Sequence, residues 1–409
     1  MSQSTLQASG TRLAQRLQRI ATSPSSVAVQ KVRDLRAQGR QVWDLTVGEP
    51  DFDTPENVKA AAVRAIAEGR TKYTPVNGIP QLRTAVADRI AARTGVAHDP
   101  AHVTVGGGAK QVIFLALSAT VDHGDEVLIP APYWVSYPDM VKANDGTPVI
   151  VPTRAADGFK LTAAALREAI TPATRWLILN TPGNPTGAAY SAGELRALAD
   201  VLAEHPHVLV LTDEIYDEVW FEAEPASNLL AVAPELAERV LLTNGVSKTY
   251  AMTGWRIGWA AGPAELIAAI NTLQSQTSSC PSSISQWAAV EALTGDQSFV
   301  ERTAAVYRER RDAVVAAVRS IEGLSCLVPS GGFYAFVSCQ DVLGKRTADG
   351  QVIATDEQFA ALLLDSEQVA VIHGAAYGAP GWFRVSFATS QEVIDEALAR
   401  LARVVEALS

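Results

Sequence analysis

From residue 58 onward, apolar positions recur at helical spacing over 58–68 and again over 81–93. Short apolar runs bounded by Gly, Pro or Asp then interrupt the helical stretches, at 103–105, 127–129, 147–151, 176–179, 208–211, 240–242 and 257–260. That alternation is the mark of βαβ units. Several runs are apolar at nearly every position, as strands covered on both faces require. The pattern therefore predicts an α/β chain. A long helical region at 282–321 follows, and apolar runs at 332–337 and 383–387 with helices around them suggest a smaller α+β lobe. Residues 11–20 can form a short amphipathic helix with Leu13, Leu17 and Ile20 on one face. Thr22-Ser23-Pro24-Ser25-Ser26 separates it from the next pattern, so it reads as an arm that docks elsewhere. No fixed-period repeat is visible.

A chain of 409 residues exceeds what one core usually supports, so two unequal lobes with a cleft between them are expected. The net charge of −10, with no local run of Lys and Arg, argues against a nucleic-acid partner. Cys280, Cys326 and Cys339 are odd in number and lack CxxC spacing, so neither a disulfide framework nor a zinc knuckle is indicated. A reducing cytoplasm fits best. The first twenty residues lack an apolar signal-peptide core, and the longest apolar stretch, from 112 to 117 and a little beyond, is too short to span a bilayer. These features lead to the expectation of a soluble, unprocessed, cytoplasmic protein. No metal site is expected: His98 and His102 flank Pro100, and His205-Pro206-His207 reads as a strand entry. No GxSxG nucleophile elbow occurs.

In an open parallel sheet ligands gather beyond the carboxyl ends of the strands. The run 103–105 leads into Gly106-Gly107-Gly108-Ala109-Lys110-Gln111 and an apolar helix, where free N–H groups can meet a phosphate. Gln111 stands where a Rossmann fingerprint has its third Gly, and the loop is not a Walker A sequence; a plain tight turn accounts for it equally well. The run 176–179 leads into Asn180-Thr181-Pro182-Gly183-Asn184-Pro185-Thr186-Gly187, 208–211 into Thr212-Asp213-Glu214-Ile215-Tyr216, and 240–242 into Thr243-Asn244-Gly245-Val246-Ser247-Lys248. A carboxylate and an ammonium at a buried sheet edge must pair or serve a ligand. One reading is an Asp213–Lys248 ion pair with Asn184 as a helix cap. The other is pyridoxal phosphate, whose aldehyde needs an amine, ring nitrogen an anion, ring oxygen donors, and phosphate cations and N–H groups. Lys248 then forms the Schiff base, Asp213 holds the pyridinium, Asn184 and Tyr216 donate to the ring oxygen, and Gly108, Ala109 and Arg256 hold the phosphate.

Val47-Gly48-Glu49-Pro50-Asp51-Phe52, Asn184-Pro185-Thr186-Gly187, Asp213-Glu214-Ile215-Tyr216 and the block from Ser247 through Lys248 to Arg256 resemble those of class I aminotransferases. The resemblance runs from about residue 12 to the end and is closer to the branch of bacterial aspartate and glutamate–prephenate aminotransferases. It implies the type I fold of pyridoxal-phosphate-dependent transferases, a mostly parallel seven-stranded sheet in a large domain with a smaller α+β domain. It divides the chain into an arm (1–25), a small domain (26–60 and 307–409) and a large cofactor-binding domain (61–306). It further implies a homodimer with two sites at the interface. Trp134, in Pro132-Tyr133-Trp134-Val135-Ser136-Tyr137, would stack on the cofactor ring, Ser247 would join the cofactor site, and Tyr73 would reach the neighbouring subunit's phosphate. Arg384 would grip the substrate α-carboxylate with the Gly48 backbone assisting, Trp134 and Asn184 would also border the substrate, and Lys110, beside the cofactor, would bind a distal carboxylate. Two positions depart from the pattern: Gly245 where Ser is frequent, and Ala109 where Gly is frequent.

Lys248 would then act as general base in a ping-pong transamination. Aspartate with 2-oxoglutarate is the expected pair. Prephenate is the alternative, weakened because Ser25 stands where relatives that use it carry Thr. A C–S lyase of the same fold is disfavoured by the Trp134 motif and Lys110, and a non-enzymatic scaffold by intact Lys248, Asp213 and Arg384.

Overall fold

A computed structural model describes residues 13–409. The chain enters through helix α1 (Pro24–Ala37), the two-residue strand β1 (Trp43–Asp44) and helices α2 (Glu56–Ala67) and α3 (Pro80–Thr94). Seven strands follow: β2 (Val103–Gly106), β3 (Glu126–Ala131), β4 (Thr147–Pro152), β5 (Thr174–Asn180), β6 (Leu209–Asp213), β7 (Val240–Gly245) and β8 (Gly258–Ala261). They form one sheet in the order β2-β8-β7-β6-β5-β3-β4. All its pairings are parallel except those of β8, which runs antiparallel to both β2 and β7.

The continuous apolarity of these strands has a direct cause. Leu177 and Leu179 of β5 enter one buried cluster, with residues of α3, while Trp176 and Ile178 enter another on the opposite face. Helix α4 (Ala109–Thr120) contributes five residues to that second cluster, more than any other single element. A strand buried on both faces has no position to give to a polar residue until it emerges at its end. The polar residues Asn180, Asp213 and Lys248 follow where β5, β6 and β7 run out.

The smaller lobe has its own sheet and core. Strands β9 (Ser325–Cys326), β10 (Tyr334–Ser338), β12 (Ile372–His373) and β13 (Trp382–Ser386) form an antiparallel sheet in the order β12-β13-β10-β9, while β11 (Val369–Ala370) pairs in parallel with β1. The β1–β11 pairing ties the amino-terminal segment to the carboxyl-terminal lobe. Register places Arg384 opposite Phe336 and Ile372, in the middle of the sheet.

Two expectations are corrected. In place of a helix over 11–20, the described part of that segment holds a single 3-10 turn, Gln15–Gln18, with no side-chain cap and no buried residue; residues 11 and 12 lie outside the described residues. Leu13 and Leu17 remain 39% and 45% exposed, while Ile20 of the same face is half-buried. Pro24 does not isolate a segment but opens α1, because a proline at the first helical position gives up only an N–H that would be unpaired anyway. The region 282–321 is two helices, Ser283–Thr294 and Ser298–Ser320, broken at Gly295. The second starts against the large sheet's core through Val300 and continues into the small lobe's core through Tyr307 and Val314. No helix among the described residues is long and apolar enough to cross a membrane.

Candidate active site

The carboxyl ends of β2, β5, β6 and β7, together with β13 of the small lobe, open onto one cleft of about 570 Å³. It is lined by every residue singled out from the sequence except Gly108, which adjoins the lining residue Ala109, and Tyr73, which stands 91% exposed away from it.

One end of the cleft is a cradle for an anion. β2 passes through Gly107 and Gly108 into α4, whose first N–H groups lack carbonyl partners within the helix. Gly108 has φ +95°, and a Cβ there would collide with the Arg256 guanidinium. Arg256, itself left-handed at φ 57°, donates to the carbonyls of Thr253 at 2.8 Å and Gly107 at 3.3 Å. Both partners are neutral, so its charge stays available beside the positive end of α4. A Cβ on Gly258 would overlap the Ala109 nitrogen, so a glycine at the start of β8 is what lets α4 begin this close.

At the centre, Asp213 is 4% exposed at the end of β6. Its carboxylate accepts from the Tyr137 hydroxyl at 2.6 Å and from the Ile215 N–H at 3.3 Å. Burial pushes its pKa up to about 6, while Tyr137, Ile215 and the charge of Lys248 oppose the rise. A carboxylate has lone pairs for a further donor. Asn180 ties the loop after β5 to β6: its amide donates to the Asp213 carbonyl at 2.9 Å and accepts from the Asn184 N–H at 2.8 Å. Tyr216 and Tyr334 share a hydrogen bond of 3.1 Å between hydroxyls.

Lys248 donates to the Gly48 carbonyl at 2.5 Å. Burial lowers its pKa to about 8, with Arg256 and Arg384 acting in the same sense and Glu49 and Asp213 against. Lys248 and Asp213 form no ion pair, and no helix begins at Asn184, so the ion-pair-and-cap alternative does not describe this edge.

Arg384 is 2% exposed. It donates to the Asn184 side-chain oxygen at 3.1 Å and to the Thr46 carbonyl at 2.7 Å, and its guanidinium lies 4.2 Å from the Tyr334 ring centroid. Its Nε is buried with no partner among the described residues. No carboxylate of the described residues pairs with it, and a guanidinium is almost never buried without an anion. Trp134 packs edge-on against Tyr137, with ring centroids 5.2 Å apart, and Lys110 Nζ sits 4.7 Å from the Trp134 centroid. Burial, then the charge of Arg256, lowers the Lys110 pKa.

Tyr137, Asn180, Thr46 and Tyr334 were not assigned site positions from the sequence. Tyr137 and Asn180 lie inside the same motifs as residues that were, which was the available signal. The donor set suits pyridoxal phosphate: an amine with a depressed pKa, a buried carboxylate with capacity for a donor, and a glycine cradle that a Cβ would fill. Among the described residues no cluster of His, Cys, Asp and Glu could hold a metal.

Known proteins share this arrangement of chain. The family model for aminotransferase class I and II matches residues 40–401. An aspartate/prephenate aminotransferase of Cereibacter sphaeroides is 49% identical over 97% of this chain and 99% of its own, and an aspartate aminotransferase of Rhizobium meliloti is 46% identical over 99% of both. Among solved structures, the aspartate aminotransferase from Rhizobium meliloti superposes with a TM-score of 0.95 at 47% identity, covering 98% of this chain and 100% of that one. The Thermus thermophilus aspartate aminotransferase with maleate gives 0.90 at 41% identity, covering 96% and 100%. With the family model spanning most of its length and these relatives nearly all of it, the chain belongs to the class I and II aminotransferases.

Proposed function

We propose that the protein transfers the amino group of L-aspartate to 2-oxoglutarate, giving oxaloacetate and L-glutamate, with pyridoxal phosphate held on Lys248. The observation that carries this reading is a pair of cations in one cleft, Arg384 and Lys110, neither of which meets a carboxylate among the described residues. Two cations flanking one amine suit a substrate with two carboxylates. The relatives named for aspartate support it, as does the Thermus aspartate aminotransferase solved with maleate, a dicarboxylate.

When bound, pyridoxal phosphate supplies an aldehyde that joins to amines and a ring that draws electrons from the substrate α-carbon. The N–H groups of Gly108 and Ala109, the Arg256 guanidinium and Ser247 hold its phosphate, and Asp213 accepts from its ring nitrogen. Trp134 covers its face, while Asn184 and Tyr216 meet its ring oxygen. Arg384 binds the α-carboxylate in a planar fork, and Lys110 the distal one. Lys248, freed when substrate takes its place, removes the α-proton and returns it; a lowered pKa suits a group that must act as both base and acid near neutrality. The division into a small domain of 26–60 and 307–409 around a large domain of 61–306, and a homodimer in which Tyr73 serves the neighbouring site, are part of the same proposal.

Prephenate is the second reading, favoured by relatives named aspartate/prephenate aminotransferase, against which Ser25 stands in the cleft lining where Thr is expected for that substrate. Initial rates with a glutamate donor decide between them. We expect kcat/KM for oxaloacetate to exceed that for prephenate; the reverse order would make prephenate the physiological acceptor.

A further inference from the structure

Helix α1 turns one stripe toward the cleft: Ser25, Val29 and Arg33, spaced four apart, all line it. The chemistry changes along that stripe. Ser25 lies at the Arg384 end, near Tyr377, whose ring centroid is 5.5 Å from the Arg384 guanidinium. Val29 comes next, and Ile113 of α4 also lines the cleft, so aliphatic side chains border it as well as charged ones. Arg33 comes last, two turns on, about 12 Å along the axis from Ser25 at about 1.5 Å per residue. It is exposed. No carboxylate of the described residues lies within ion-pair distance of it, whereas its neighbour Arg36 is 3.8 Å from Asp44. Gln30, on the same side of α1, is engaged elsewhere, donating to Asp34 at 2.7 Å.

The cleft therefore holds one cation more than an aspartate-sized substrate employs. On the proposed reading of the site, Arg256 faces the phosphate, Arg384 the α-carboxylate and Lys110 the distal carboxylate of a four- or five-carbon acid. We propose that Arg33 is a specificity-determining residue that takes the distal carboxylate of longer dicarboxylic substrates, straight or ring-bearing, whose middle segment runs past Val29 and Ile113. This inference rests on the proposed function, which supplies the Arg384 anchor from which length is counted. A planar fork at the rim accepts a carboxylate in two parallel hydrogen bonds, and its reach makes the gain depend on chain length rather than on charge alone.

The test uses the cofactor-loaded enzyme and its Arg33→Ala and Arg33→Lys variants. Dissociation constants of the unreactive dicarboxylates succinate, glutarate and adipate are measured by calorimetry, and kcat/KM is measured for oxaloacetate and 2-oxoadipate with glutamate as donor. In Arg33→Ala the adipate-to-succinate ratio of dissociation constants should rise about tenfold, the size of one well-placed charged contact. The 2-oxoadipate-to-oxaloacetate ratio of kcat/KM should fall by a similar factor, and Arg33→Lys should recover part of both. Equal losses for all lengths would mean general electrostatic attraction and overturn the proposal, as would unchanged ratios or a wild type that does not bind adipate. If the wild type fails to transaminate aspartate at all, the proposed function is at fault, while the binding ratios still report on Arg33.

Discussion

A carboxylate buried at the end of a strand keeps its charge only while its neighbours donate to it, and Asp213 has few such neighbours. The Tyr137 hydroxyl at 2.6 Å is the strongest of them, and even with it burial lifts the Asp213 pKa to about 6. Tyr137→Phe removes that donor and leaves the ring packing in place. The sign follows: a lost donor to the ionised form raises the carboxyl pKa further, so less Asp213 is ionised at any given pH. The acid limb of the kcat profile should move to higher pH, and kcat at pH 7 should fall about tenfold, in line with roughly 1–3 kcal/mol for an unpaired buried acceptor. A variant with an unmoved acid limb would remove Tyr137 from this role. Asp213 and Lys248 were legible in the sequence because each follows an apolar run that admits no polar residue until it ends. Tyr137 was not, since its partner lies 76 residues away and only the packing of the helix at Tyr137–Ala143 on β3 and β4 brings the hydroxyl to the end of β6.

Among the elements, the seven strands of the large sheet were readable from apolar runs, but α1 was not: it buries only Val32, and its Ser-rich start resembles a linker. Its place against the cleft comes from the tertiary structure, through the β1–β11 pairing that anchors the chain just after it. The meeting of β8 with the start of α4 was equally hidden, because it depends on what a missing side chain permits. Gly258→Ala would place a Cβ onto the Ala109 nitrogen and 2.6 Å from the Gly108 carbonyl carbon, so α4 must retreat from Arg256. Such overpacking costs about 1–3 kcal/mol. We expect pyridoxal phosphate affinity to fall about tenfold or more by equilibrium dialysis, whereas Gly254→Ala, whose Cβ would meet nothing within 4 Å, should bind as the wild type does. Wild-type affinity in Gly258→Ala would show that the close approach of β8 and α4 does not set the cradle.

At the scale of the whole molecule, Tyr73 is the residue that a single chain does not explain. It is 91% exposed on the loop before α3, a large aromatic surface facing no part of its own cleft. In the proposed homodimer with shared sites, that surface would be covered by the partner. Tyr73→Ala and Lys248→Ala, each expected to be strongly impaired alone, should therefore regain activity when mixed and allowed to exchange subunits, because one of the two hybrid sites carries both wild-type residues. No recovery despite confirmed exchange would place Tyr73 outside the site. Central to all of this is the proposal that Lys248 carries the cofactor, its amine set at the edge where β7 ends and its pKa lowered to about 8. Borohydride reduction of the cofactor-loaded protein followed by peptide mass mapping tests it most directly. A pyridoxyl group on the peptide containing Lys248, and on no other, is the predicted result; a label on another lysine, or no label on a protein that still transaminates, would contradict it.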